Sequence, residues 1–178
     1  MKSDMTKSLF SRVALLLACL SLASCAIGLR VYTPPAGVAT SNLSVVDMGG
    51  SGLSPKETMV ALFEDANSCR GRSFIHGTTK QPPLSTEFVP IRSGEPVSVA
   101  VYFTREESPL RVSTCAAIFK FEPAAGLFYR AYFSVDGGRC GISLRSAKSS
   151  SMSASVDVPF QSMRPLKALD ESSPFCAP

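Results

Sequence analysis

The chain has a single histidine, His76, among 178 residues. That scarcity excludes a typical His-rich zinc or copper centre, which needs several imidazoles on one ion. No two cysteines stand two to four residues apart, so the usual zinc-ribbon spacing is missing as well. Neither a G-x-G-x-x-G turn nor a phosphate-cradling loop followed by Lys and Ser/Thr occurs, and no cofactor is expected. Blocks of like charge are absent and the net charge is only +4, too mild a balance to suggest a nucleic-acid partner. No apolar run reaches the roughly 20 residues of a spanning helix, and no internal repeat is visible.

What is present begins with an address. Lys2, Lys7 and Arg12 lie ahead of the apolar stretch Val13–Leu20, and small residues follow. A basic head, a short apolar run and a small-residue exit is the layout of a secretory signal over residues 1–24. Leu22-Ala23-Ser24-Cys25 resembles the lipobox of bacterial lipoproteins. That resemblance implies cleavage before Cys25, diacylglycerol on its thiol and the lipid bilayer as the first partner, since two or more acyl chains hold a protein stably on a membrane. Residue 26 is alanine, not the aspartate that tends to retain lipoproteins in the inner membrane, so a periplasm-facing outer-membrane anchor is expected. Residues 25–42, with Pro34-Pro35-Ala-Gly37, read as the lipidated end and a semi-extended tether.

The remaining residues, 43–178, are expected to form one all-β domain. Val97, Val99, Val101 and Phe103 alternate with more polar neighbours. So do Cys115, Ala117, Phe119 and Phe121, then Tyr129, Ala131, Phe133 and Val135, then Met152 to Phe160. This is the period of half-buried strands. Shorter candidates are Leu43–Met48, Thr58–Phe63, Thr86–Ile91 and Cys140–Arg145. Ser54–Phe63 carries capping features of a helix but reads better as a strand. Asp136-Gly137-Gly138, Pro123 to Gly126 and Ser93 to Pro96 supply turns. About eight short strands at this spacing predict an antiparallel β-sandwich, immunoglobulin-like or transthyretin-like. Arg70-Gly71-Arg72 reads as a solvated loop, and residues 163–178 as a proline-broken tail.

If lipid occupies Cys25, the mature chain keeps Cys69, Cys115, Cys140 and Cys176, an even number in an oxidising compartment. Three pairings are open. Cys115–Cys140 and Cys69–Cys176 are favoured, because the first links neighbouring strands and the second ties down the tail.

Arg92-Ser-Gly94-Glu-Pro96-Val-Ser-Val-Ala-Val-Tyr102, then Cys115, then Phe121-x-Pro123-x-x-Gly126-x-x-Tyr129, then Cys140, resembles small uncharacterised proteobacterial lipoproteins over residues 88–145. The resemblance bears on fold and is silent on activity. No catalytic residue is assigned. His76 lacks a nucleophile motif, and Gly49-Gly50-Ser51-Gly52-Leu53 has leucine where a nucleophile elbow needs glycine. Glu64-Asp65, Glu106-Glu107 and Asp170-Glu171 are adjacent acids, which point to opposite faces on a strand. Tyr102, Phe128 and Tyr132 fall opposite their strands' main apolar rows and form the candidate partner surface.

Three readings follow. The leading one is a non-enzymatic binding or structural module of the cell envelope, with a protein or glycan partner. The second is a tether lipoprotein of an envelope-spanning secretion machine, contacting its partner through residues 64–85. The third is a wall or glycan hydrolase using His76. Intact mass of envelope-purified protein is expected to give a chain that starts at an acylated Cys25. Cys25→Ala is expected to release the protein from the membrane fraction.

Overall fold

The computed structural model describes residues 30–34, 36–48, 56–76, 87–108, 111–136, 139–170 and 172–178. Eleven strands run through them: β1 (Thr40–Asp47), β2 (Lys56–Asp65), β3 (Arg70–His76), β4 (Val89–Arg92), β5 (Val97–Ser108), β6 (Arg111–Phe121), β7 (Phe128–Asp136), β8 (Arg139–Ala147), β9 (Val156–Asp157), β10 (Gln161–Pro165) and β11 (Cys176–Ala177). A five-stranded sheet has the order β4-β1-β7-β8-β9, and a six-stranded sheet the order β11-β10-β6-β5-β2-β3. The all-β sandwich expected from alternation is the architecture found. Between these strands pairing is antiparallel except for β1 and β7, where Leu43 lies beside Tyr129 and Val45 beside Ala131 in parallel register.

The main core fills the space between the sheets. Val97, Val99, Val101 and Phe103 of β5 meet Leu43 and Val45 of β1 and Tyr129, Ala131 and Phe133 of β7. Each such Val, Leu or Phe contributes about 1.5–3 kcal/mol when fully buried. Cys115 on β6 and Cys140 on β8 form a disulfide that joins the two sheets across this core, with their Cα atoms 6.1 Å apart. The buried Tyr129 accepts a hydrogen bond at its hydroxyl from the Ala124 N–H, at 2.9 Å, and so fastens the turn that leads into its own strand. The Gly94 N–H donates to the Pro123 carbonyl at 2.8 Å and binds that turn to the one before β5.

A second, smaller core lies on the other face of the six-stranded sheet, which curls on itself. One row crosses five strands in register: Phe74, Ala61, Ala100, Ile118 and Met163. The two alanines at its centre leave room for the curl. The turn after β2 then meets the C-terminal tail. Cys69 bonds to Cys176 with Cα atoms 5.3 Å apart, and the Phe175 N–H donates to the Ser68 carbonyl at 3.0 Å. Both favoured disulfide pairings are therefore those formed.

Several expectations need correction. Arg70-Gly71-Arg72 opens β3 and is no loop, because Cys69 takes a positive φ of 54° and turns the chain back at once. Gly71, at φ +68°, lies so close to Glu64 that an added Cβ would sit 2.6 Å from Glu64 Oε2. Residues 64–76 of the supposed docking loop are thus strand, turn and strand, and 77–86 lie outside the described residues. The strand expected over Met152–Phe160 shrinks to Val156–Asp157. Met152, at φ 57°, folds into a turn among Ser149, Ser151 and Ser153, while Val158 and Phe160 still pack on the core. Within the stretch 25–42 expected to be a tether, Arg30–Tyr32 pair with β3: Tyr32 N–H donates to the Phe74 carbonyl and Phe74 N–H to that of Arg30. β10 and β11 lie in the stretch expected to be an irregular tail.

Asp65 holds the β2–β3 turn. Its carboxylate accepts from the Ser68 hydroxyl at 2.5 Å and from the Asn67 N–H at 2.8 Å, and these bonds keep its pKa below the usual carboxylate range. A depressed folded-state pKa stabilises the fold above the ordinary value, and the contribution fades as pH falls toward the folded value. Asp65→Asn is therefore expected to flatten the loss of stability in acid below pH ~4, read as urea midpoints across pH. The disulfides predict an order. By chain entropy, removing the link of 107-residue separation costs about 4.8 kcal/mol and the one of 25 about 3.5 kcal/mol. Denaturation of the paired Cys→Ala variants should rank Cys69–Cys176 as the larger loss.

Candidate functional site

The three aromatics expected to form one surface are split between the two sheets. Tyr102 on β5 lies in the row Met59, Tyr102, Ala116 and packs against the small core of the curled sheet. Ile118 of the same face is 4% exposed. The face that would have been apolar and open is thus closed by its own curl and by the tail. Phe128 and Tyr132 stand on β7 in the five-stranded sheet, on the side away from the core that Tyr129, Ala131 and Phe133 face. The structure brings these two together and leaves Tyr102 elsewhere.

Arg130 lies between Phe128 and Tyr132 on the same face, as the two-residue period requires. The register sets Ser44, Arg130, Arg145 and Asp157 in one row across β1, β7, β8 and β9. Two arginines directly opposite repel, and the neighbours separate them. Arg145 Nε donates to Asp157 Oδ1 at 3.0 Å. The Arg130 guanidinium instead lies over the Phe88 ring, 5.1 Å from its centroid, and Phe88 meets Phe128 edge-on at 5.1 Å. Arg130 Nε and Ser44 Oγ are both buried and have no hydrogen-bond partner among the described residues. A half-apolar platform of Phe88, Phe128 and Tyr132 therefore surrounds a cation whose buried Nε has no partner among the described residues. Stacking of a guanidinium on an aromatic is worth roughly 0.5–2 kcal/mol, and it holds the group in place.

The candidate chemistry elsewhere resolves into structural roles. Asp65 caps its turn, and Glu64 pairs with Arg30 at 2.7 Å. Asp170 accepts from the hydroxyls and N–H groups of Ser172 and Ser173, which lower its pKa. His76 ends β3 opposite Val60, and its side chain is outside the described residues, as are those of Glu106 and Glu107. Cys25, Gly49–Leu53 and Glu171 also lie outside them. Among the described residues, no group of three His, Cys, Asp or Glu side chains could hold a metal ion.

A cleft of about 100 Å³ opens between the sheets where Tyr32 faces Ile91, Arg92 and Glu95. Burial there pushes the Tyr32 hydroxyl above its ordinary pKa, against the pull of Arg92. Its charges are paired, Arg92 with Glu95 at 3.0 Å, and ligand pockets are typically about 300 Å³ or more. The face around Arg130 is the stronger candidate. No protein-family model, curated protein or solved structure matches the chain.

Of this site, alternation in Phe128-Tyr-Arg-Ala-Tyr132 places Arg130 on the same face as the two aromatics. Phe88, just before β4, and Ser44, on β1, are distant in sequence, and no local pattern announces them. Tyr102→Ala is expected to cost about 1–3 kcal/mol, through lost packing, and Tyr132→Ala no more than about 0.5 kcal/mol. Urea denaturation midpoints of the two variants check this.

Proposed function

We propose that this protein is an outer-membrane lipoprotein, anchored through acylated Cys25, whose sandwich is a non-enzymatic binding module facing the periplasm. The binding surface is the exposed face of the five-stranded sheet. The observation that carries this reading is the half-buried aromatic pair Phe128 and Tyr132 flanking Arg130, whose guanidinium is held over the Phe88 ring. Arginine donors framed by aromatic faces suit a partner that offers acceptor oxygens on a half-apolar surface, whether a carboxylate-bearing protein segment or a glycan. Two disulfides support export to an oxidising compartment.

A photo-activatable cross-linker in place of Tyr132 tests the reading in intact cells. A discrete adduct is expected, and Arg130→Ala should weaken it by roughly ten-fold, the effect of losing about 1.4 kcal/mol of charge-assisted bonding. Cross-links that form equally well with Arg130→Ala, or none at all, would sink this assignment of the surface.

A further inference from the structure

The N-terminal segment and the C-terminal tail meet on one rim of the curled sheet. Val31 pairs in parallel with Phe74, so their side chains share a face, and Val31 is 74% exposed. On that face the Arg72 guanidinium lies 5.2 Å from the Phe74 ring centroid and 4.5 Å from that of Phe175. Phe175 in turn accepts at its carbonyl from the Leu166 N–H, at 2.7 Å. Leu166 and Leu169 are 37% and 95% exposed, and Lys167 between them is exposed too. Of the acids in these segments, Glu64 is paired with Arg30 at 2.7 Å and Asp170 accepts from Ser172 and Ser173. The rim therefore offers scattered apolar side chains among cations, the composition that settles at a lipid headgroup boundary.

Chain length supplies the second observation. Only four residues separate Cys25 from Arg30, whose carbonyl is fixed to β3. Fully extended, the five steps from one to the other span at most about 18 Å. A lipid on Cys25 would hold this edge of the domain close to the bilayer, with no freedom to stand off.

We infer that the rim of Val31, Arg72, Leu166, Lys167 and Leu169 rests on the leaflet that holds Cys25, kept there by the short leash. The inference depends on the lipoprotein reading. It adds an orientation: the curled sheet faces the lipid and the other sheet faces away.

Lysine labelling tests it on the acylated full chain in nanodiscs of phosphatidylethanolamine and phosphatidylglycerol. An amine-reactive ester is applied briefly, and Lys167 is compared by mass spectrometry with Lys148, which follows β8 in the other sheet. The reference is the same protein with about 20 Gly/Ser residues inserted after Cys25, a linker whose root-mean-square span is about 25 Å. The Lys167-to-Lys148 ratio is expected to be several-fold lower on the native leash than on the long one. Equal ratios on two acylated chains would overturn the orientation and leave the lipoprotein reading standing. Intact mass showing no acyl group on Cys25 would overturn both.

Discussion

The fold depends on the six-stranded sheet bending far enough for its two ends to meet. Right-handed twist supplies part of that curvature. Small side chains at the centre allow the rest, because Ala61 and Ala100 lie in register where bulk would force the flanking strands apart. Closure then falls to the turn after β2, where Asp65 gathers Asn67 and Ser68 and the positive φ of Cys69 aims its sulfur at Cys176. As a result β2, β5 and β6 are buried on both faces. Their sequences accordingly approach continuous apolar runs, such as Met59–Phe63, where a one-sided strand would alternate cleanly.

The five-stranded sheet is free of that constraint and keeps its outer face partly open: Arg145 and Asp157 are exposed, whereas Ser44 is covered. Its inner row is as apolar as that of its partner. Its outer row carries Ser44, Arg130, Arg145 and Asp157. Placing two arginines opposite each other is unfavourable unless each finds other company. Arg145 finds Asp157, at the edge, and Arg130 finds an aromatic ring from outside its own ladder. A salt bridge as exposed as Arg145–Asp157 adds little stability. Its effect here is on direction, since it leaves Arg130 to the aromatic platform.

Much of this was legible in sequence, because strand period and turn chemistry are local. β5, β6, β7 and β8 lie where alternation placed them, and the two favoured cysteine pairs are those that bond. What escaped notice was non-local. Alternation from Met152 to Phe160 reports burial of Val158 and Phe160 truly, but burial does not require a ladder partner, and only Val156–Asp157 has one. Arg70-Gly71-Arg72 looked like loop because its pairing partners on β2 precede it across a left-handed cysteine that no propensity flags. Tyr102 illustrates the same limit from the other side. It lies opposite the main apolar row, as alternation requires, yet curl and tail together cover that face.

The two proposals constrain each other through the geometry of the sandwich. The leash reaches the six-stranded sheet, at the segment Arg30–Tyr32 beside β3, and the tail rim belongs to that sheet's outer side. The platform of Phe88, Phe128, Arg130 and Tyr132 is on the outer side of the other sheet. Stacked sheets are about 10 Å apart, so a rim laid on lipid holds the platform a domain's thickness away, facing outward. Reversing the domain would press Arg130 and its unpartnered Nε toward the bilayer and carry the attachment point of the leash away from it. A four-residue leash would resist that reversal. Under both proposals, the short connection that would hold the domain near the membrane would also turn the Arg130 platform toward the periplasm.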